Sequence, residues 1–292
     1  MFNRHPSLLV LLAAAIFATS GIFIRFAGLP PASMAFFRMA VPTLLIGGYY
    51  LVRRHRIATA SIGVRLVASG LNAIRLLLYL VAFANTTIAN AVVMLYTWPV
   101  FAAFFSVVLL GERVDRVQKL LLALAFSGIP LLYLGKQLSF ADRDVVGITA
   151  MLGSAVLHAL ALVLLKRAKP GNDRFESTFF QNLVGSIAFI PALWLTTALS
   201  ASAAQITIAA SYGLVVGLGG FTVFFIALHR MPAAVTSNLS YFEVVVGVLI
   251  SWLMGEQVAW NTLVGGALIS VSIIAAQVRA YRHAERDARR SG

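Results

Sequence analysis

The chain has 292 residues, of which 60% are hydrophobic and only 11% are Asp, Glu, Lys or Arg. A soluble domain carries about a quarter charged residues, so a mean hydropathy of +0.89 excludes a water-soluble globule and places the chain in a bilayer. The formal net charge of +13 does not point to nucleic acid, because the Lys and Arg residues fall between apolar runs, where they mark cytoplasmic loops. The absence of Cys excludes disulfides, thiolate metal sites and Cys nucleophiles.

Met1 to Ala27 has the outline of a secretory signal, with Arg4, an apolar run and small residues at Ala18-Thr19-Ser20. Apolar character continues through Ile22, Phe23 and Ile24, close to the ~20 residues that span a membrane, so this is the first retained helix. Apolar runs between charges predict spans at roughly 7–27, 32–52, 65–84, 88–110, 117–135, 145–165, 175–199, 206–228, 233–254 and 261–279. No gap between them is long enough for a soluble domain. The expected fold is all-α, an integral membrane protein of about ten transmembrane helices.

Orientation follows from the basic residues. With the N-terminus in the cytoplasm, the inner segments hold Arg4, Arg53, Arg54, Arg56, Arg65, Arg113, Arg116, Lys119, Lys166, Arg167, Lys169, Arg174, Arg230 and the tail from Arg279 to Arg290. The outer loops keep Lys136 and Arg143, with Arg25 at a border. This asymmetry predicts both termini inside. The tail, with Arg at spacings of three and four, reads as a solvated helical extension meeting anionic lipid headgroups.

An internal repeat organises the chain. Leu110-Gly111-Glu112-Arg113-Val114 and Met254-Gly255-Glu256-Gln257-Val258 each follow a long apolar run, and the same offset lays Ala89 on Ala233 and Tyr96 on Ser240. Five spans per half is an odd number, so the second half enters the membrane from the opposite side. Such inverted repeats place a site near the midplane and supply two related conformations for alternating access. The expected division is a first five-helix repeat over 1–139, a second over 140–280 and a basic cytoplasmic tail over 281–292.

The pattern Tyr79-x3-Phe83-Ala84-x4-Ala89-x-Ala91, then Pro99, then Leu110-Gly111-Glu112-Arg113, resembles the EamA-type members of the drug/metabolite transporter superfamily. Arg38 also stands at a family-like position, and Ala233-Ala234 through Gly255-Glu256 is similar to the family's second unit. Within that superfamily, Tyr79, Tyr96-x-Trp98-Pro99 and Ser237-Asn238-x-Ser240-Tyr241 resemble YddG-type exporters of aromatic amino acids. The resemblance implies export of amino acids and related metabolites across a bacterial inner membrane.

Individual residues sharpen this expectation. Arg75 and Glu243 lie deep inside spans, where a lone charge costs several kcal/mol and must face protein or water. Two readings stand side by side: a structural ion pair, with each other or through Arg38, or a functional role in which Arg binds a substrate carboxylate and Glu243 carries a proton. His158 is read as a packing or cavity-lining residue, with proton relay as an alternative. Tyr79, Phe83, Tyr96 and Trp98 are expected to line a cavity that stacks on a ring substrate. Ser237, Asn238, Ser240 and Tyr241 form a polar run that predicts a water-accessible face. Pro99, read as mid-helix, frees the carbonyl of Leu95 and predicts a kink beside the cavity, a candidate hinge. Gly213-x3-Gly217 with Gly219-Gly220 permits close helix approach; the chain is expected to be a monomer, with a dimer as the alternative.

Other classes find little support. The chain has no His-Glu-x-x-His, no Gly-x-Ser-x-Gly, no paired intramembrane aspartates and no Walker motif, so neither an intramembrane enzyme nor ATP drive is expected. No metal site and no cofactor are expected. An ion channel would want a charged ring or a carbonyl filter, which two odd-helix halves do not supply. The expected partners are a small-molecule substrate of the amino-acid class and membrane lipids.

Overall fold

The computed structural model describes residues 6–54, 62–111, 115–167, 174–196, 200–228, 230 and 233–291. Among them there is no strand; the chain runs as α1 (Pro6–Ala18), α2 (Ser20–Ala27), α3 (Pro31–Val52), α4 (Ile62–Asn85), α5 (Ile88–Leu95), α6 (Trp98–Leu110), α7 (Arg116–Leu131), α8 (Arg143–Arg167), α9 (Arg174–Leu195), α10 (Ala203–Tyr212), a π-helical stretch (Gly213–Gly220), α11 (Phe221–Leu228), α12 (Ala233–Ser240), α13 (Phe242–Leu253) and α14 (Trp260–Ser291). Among the described residues eight helical runs, three of which join neighbouring elements, are long and apolar enough to cross a membrane. The chain is a multi-pass membrane protein. Glu112 and Arg113 of the first Leu-Gly-Glu-Arg motif lie outside the described residues, as does the side chain of Ser237.

Local sequence explains the punctuation. Pro31 sits at the first position of α3, where a missing N–H costs nothing. Thr87 caps α5 by accepting the Asn90 N–H at 3.1 Å. Asp115 and Gln118 form a reciprocal capping box at the start of α7. Gly111 and Gly255, the glycines of the two repeated motifs, follow the ends of α6 and α13 with φ of 68° and 75°, a left-handed conformation that stops a helix cheaply only at Gly.

The interior is a layer of mainly apolar side chains, with Met34, Leu76, Leu80, Val92, Met94, Ile148 and Met151 enclosed. The surface is also apolar: Leu44, Phe104, Val108, Leu120 and Trp252 project outward, as they must where lipid rather than water surrounds the bundle. The main packing partners are α4 with α8 and α9, α7 with α14, α3 with α9 and the π-helical stretch, α6 with α8, α1 with α11 and α13, and α5 with α13. Arg65 near the start of α4 meets Glu176 near the start of α9, and Asp115 before α7 meets Arg279 on α14; this region is called here the terminal end. The turns around Arg25, Thr86, Asp144 and Glu256 converge at the other, the distal end.

Candidate functional site

Two helical runs, 88–110 and 233–253, are each broken partway along their length. The first break separates α5 from α6: the Thr97 N–H and hydroxyl both donate to the Met94 carbonyl, at 3.2 and 2.8 Å, and the Val100 N–H donates to the Thr97 carbonyl at 3.0 Å. The second separates α12 from α13, with the Tyr241 N–H on the Asn238 carbonyl at 3.2 Å and the Val244 N–H on the Tyr241 carbonyl at 3.0 Å. Both breaks therefore replace helical bonds with tighter ones to the third residue back. They also touch. The Tyr96 and Tyr241 rings lie 4.7 Å apart. The Tyr96 hydroxyl sits between the Ser240 carbonyl, 144 residues away in sequence, at 2.5 Å and Glu243 Oε2 at 2.8 Å, both acceptors for its single proton.

Two expectations change here. Pro99 does not kink a continuous helix; it lies in the first turn of α6, just after the break, where its missing N–H leaves no ladder bond unmade. Glu243 forms no ion pair with Arg75 or Arg38. Buried at 5% exposure, it is satisfied by the Tyr96 hydroxyl, a neutral donor that compensates part of its desolvation.

The two deep arginines are held without a carboxylate. Arg38, on α3, is 6% exposed. Its guanidinium carbon lies 5.7 Å from the Tyr212 ring centre and 5.3 Å from that of Phe221, and its Nε is buried with no hydrogen-bond partner. Gly217 makes this seat: a Cβ there would stand 2.7 Å from Arg38 Nη1 and 3.0 Å from the Arg38 carbonyl oxygen. Gly213, one turn earlier, lets the π-helical stretch approach the Phe37 carbonyl in the same way, so the close helix approach read in the sequence serves packing within the chain. Arg75, on α4, donates from Nε to Asn72 Oδ1 at 3.0 Å, and its carbonyl accepts the Ser154 hydroxyl at 3.0 Å, tying α4 to α8. Arg38, Arg75, Tyr79 and Tyr212 are close enough to interact electrostatically, as are Glu243 and Tyr79. Among the described residues no ion pair contains Arg38, Arg75 or Glu243.

The sequence-predicted aromatic residues form ring pairs around this centre. Tyr79 packs edge-on to Phe83 at 4.8 Å, and Trp98 packs edge-on to His158 at 5.2 Å; His158 in turn lies within electrostatic range of Arg75. In the polar run at 237–240, Asn238 and Ser240 are half-buried. The Ser240 hydroxyl is spent on the Thr236 carbonyl at 2.9 Å. Asn238 and Tyr241 border a lateral groove of about 550 Å³ whose other walls are largely apolar, among them Leu11, Val93, Val245 and Leu263.

Sequence reasoning missed a polar network at the distal end. A cavity of about 760 Å³ opens there, lined by Ile24, Arg25, Phe83, Thr86, Asp144 and Glu256 among others. Glu256 pairs with Arg25, accepts the Ser251 hydroxyl, and takes the Ile88 N–H on Oε2 at 2.8 Å, so it caps α5 from the far half of the chain. Asp144 pairs with Lys136, accepts the Thr86 hydroxyl, and takes Asn90 Nδ2 at 3.2 Å; the Thr262 hydroxyl donates to Asn90 Oδ1 at 2.6 Å. The signal for Glu256 was its place in the repeated motif. At the terminal end the structure corrects a second residue: Arg65, expected in a loop, is inside α4, 1% exposed, and pairs with Glu176 at 3.1 Å beside the Phe180 ring.

Comparison with known proteins agrees with this architecture. The model of the EamA-like transporter family matches residues 6–134 and again 145–276. The pseudopaline exporter CntI of Pseudomonas aeruginosa is 30% identical over 273 residues, 92% of this chain and 94% of that protein. An uncharacterized transporter of Archaeoglobus fulgidus is 25% identical over 94% of this chain and 96% of its own length, and solute carrier family 35 member G1 of Mus musculus is 24% identical over 92% and 77%. A solved crystal structure shares the fold with a TM-score of 0.65 at 18% identity, covering 94% of this chain and 98% of that one.

Proposed function

Because the chain belongs to the EamA-like transporter family, we propose that it is a secondary transporter of a bacterial inner membrane, exporting or exchanging amino-acid-type metabolites, aromatic ones preferred, by alternating access. The observation that carries this reading is the contact of the two helix breaks at Tyr96 and Ser240-Tyr241. Broken helices meeting at mid-membrane are where carriers of inverted-repeat design bind cargo and absorb the change in backbone angles between two states.

The reading takes ten spans in two inverted groups of five, 1–139 and 140–280, with both termini cytoplasmic. In this reading α7 and the shorter apolar run Asn238–Leu253 join the eight long ones. The packing supports the symmetry: α4 on α8 is matched by α11 on α1, α6 on α8 by α13 on α1, and α4 on α9 by the π-helical stretch on α3. The two matched family segments are of similar length. The cargo's carboxylate would face Arg38 and Arg75, its ammonium Glu243, and its ring the Tyr79–Phe83 and Trp98–His158 pairs. A second reading, favoured by the 30% identical exporter, is a pseudopaline-type cargo in the same site.

The test is uptake of radiolabelled phenylalanine into proteoliposomes, with and without an imposed pH gradient. Saturable uptake above empty liposomes is the expected result, and a response to the gradient would assign coupling to Glu243 or His158. No uptake by folded protein under either condition would remove the aromatic amino-acid cargo and turn the search to other metabolites.

A further inference from the structure

The charge balance of the centre is uneven. Arg38 and Arg75 bring two positive charges within electrostatic range of each other, neither has a carboxylate among its partners, and Glu243 is engaged by Tyr96. Even with Glu243 ionised, the two guanidiniums leave the centre with net positive charge. An unpaired cation deep in a bilayer is costly, and two like charges near each other add to that cost. Arg38 is nonetheless held rigidly, between two rings and against Gly217, with a buried Nε that donates to nothing. A guanidinium held in this way is preorganised for an acceptor that is absent from the protein itself, and a carboxylate fits its planar fork.

Resting on the reading of this centre as the cargo site, we propose that Arg38 and Arg75 form a carboxylate subsite and that the site selects cargo with one net negative charge, a metabolite bearing one more carboxylate than ammonium group, over neutral zwitterions. A zwitterion leaves the site's charge as it was. A singly anionic cargo lowers it, so the loaded carrier can change conformation while moving less uncompensated charge through the low-dielectric interior. The ring pairs are indifferent to this charge and set shape alone.

The experiment measures binding to the purified full chain in lipid nanodiscs, at constant ionic strength and neutral pH, by ligand-dependent thermal unfolding and by competition. The probes are N-acetylphenylalanine, phenylalanine and phenylalaninamide, which share one ring and carry one negative, zero and one positive net charge, together with phenylacetate, a carboxylate with no amino group. The expected order is N-acetylphenylalanine tightest, phenylalanine about tenfold weaker and phenylalaninamide weakest, a step on the scale of one charge-assisted hydrogen bond. Arg38→Gln, which lowers the site's charge by one, should weaken N-acetylphenylalanine about tenfold or more and bring phenylalanine level with it; Arg38→Lys, which keeps the charge and loses the fork, should keep the order with weaker binding throughout. If phenylalanine binds as tightly as N-acetylphenylalanine in the unaltered protein, or if Arg38→Gln leaves their ratio unchanged, the proposal is overturned while the amino-acid reading stands. If both fail to bind but phenylacetate stabilises the protein and not its Arg38→Gln variant, the carboxylate subsite stands and the amino-acid cargo falls. Indifference to every carboxylate overturns the subsite itself.

Discussion

The two ends of the bundle and its centre treat charge in opposite ways. At the distal end Arg25 has Glu256, Lys136 has Asp144, and Arg143 donates to the Ala84 carbonyl and Asn85. At the terminal end Arg65 has Glu176 and Arg279 has Asp115. At the centre Arg38 and Arg75 have no carboxylate, and Glu243 has a tyrosine hydroxyl. Paired charges that bridge distant segments hold a structure together. Buried charges left without opposite partners cost stability and persist where a ligand supplies what is missing. On the proposed reading, the difference separates the residues that hold the ends from those that meet the cargo.

The largest expected effect tests that separation directly. Glu176→Gln removes the carboxylate charge facing Arg65, whose side chain is only 1% exposed, and should destabilise the protein by about 3–5 kcal/mol. Arg38→Gln removes a buried cation that has no carboxylate partner, so it should leave unfolding unchanged or raise its midpoint while uptake falls. Thermal unfolding in nanodiscs measured beside uptake reads both; equal destabilisation by the two substitutions would erase the distinction between ends and centre. Next, Tyr96→Phe deprives Glu243 and the Ser240 carbonyl of their shared donor, a loss of about 1.5–3 kcal/mol if the carboxylate is charged, and should slow uptake more than it lowers binding, because the contact joins the two breaks. Trp98→Ala should weaken ring-bearing cargo by up to about tenfold and small cargo less; equal loss for both would remove the stacking role. Glu256→Gln keeps an acceptor for the Ile88 N–H but gives up the partly exposed Arg25 pair, for about 1 kcal/mol, and should leave the preference among cargoes untouched.

The smallest effect lies outside the membrane. Asp115 accepts the Gln118 N–H and faces Arg279, and these contacts hold its carboxyl below the usual carboxylate range. A depressed carboxylate stabilises the folded chain above its unfolded pKa and loses that contribution as pH falls through the folded value. Asp115→Asn should therefore lower the unfolding midpoint slightly at neutral pH, and the gap to the unaltered protein should close below about pH 4.

Much of this was legible in the sequence because lipid imposes simple rules. A bilayer leaves no backbone group to water, so long apolar runs had to be helices, and the repeated Gly-Glu motifs marked corresponding helix ends at Gly111 and Gly255. Arg38, Arg75, Glu243 and the aromatic run were visible as charges and rings where lipid should have excluded them. What each of them touches was not visible. Tyr96 and Ser240 lie 144 residues apart, and spacing cannot say that a tyrosine hydroxyl, rather than an arginine, satisfies Glu243. Arg65 read as a loop residue because its partner Glu176 lies 111 residues away, and Pro99 read as a kink because the break that makes it an N-terminal proline is enforced by packing against the second half.

The sequence by itself determined the solvent, the helices, the duplicated motif and the residues out of place in lipid, since these depend on composition and short-range pattern. Only the tertiary structure decided which charges are paired and which stand without opposite partners, since that depends on contacts between segments whose separation along the chain carries no local signal. The distinction between the Arg65–Glu176 pair and Arg38 on its two rings exists only once the helices have packed.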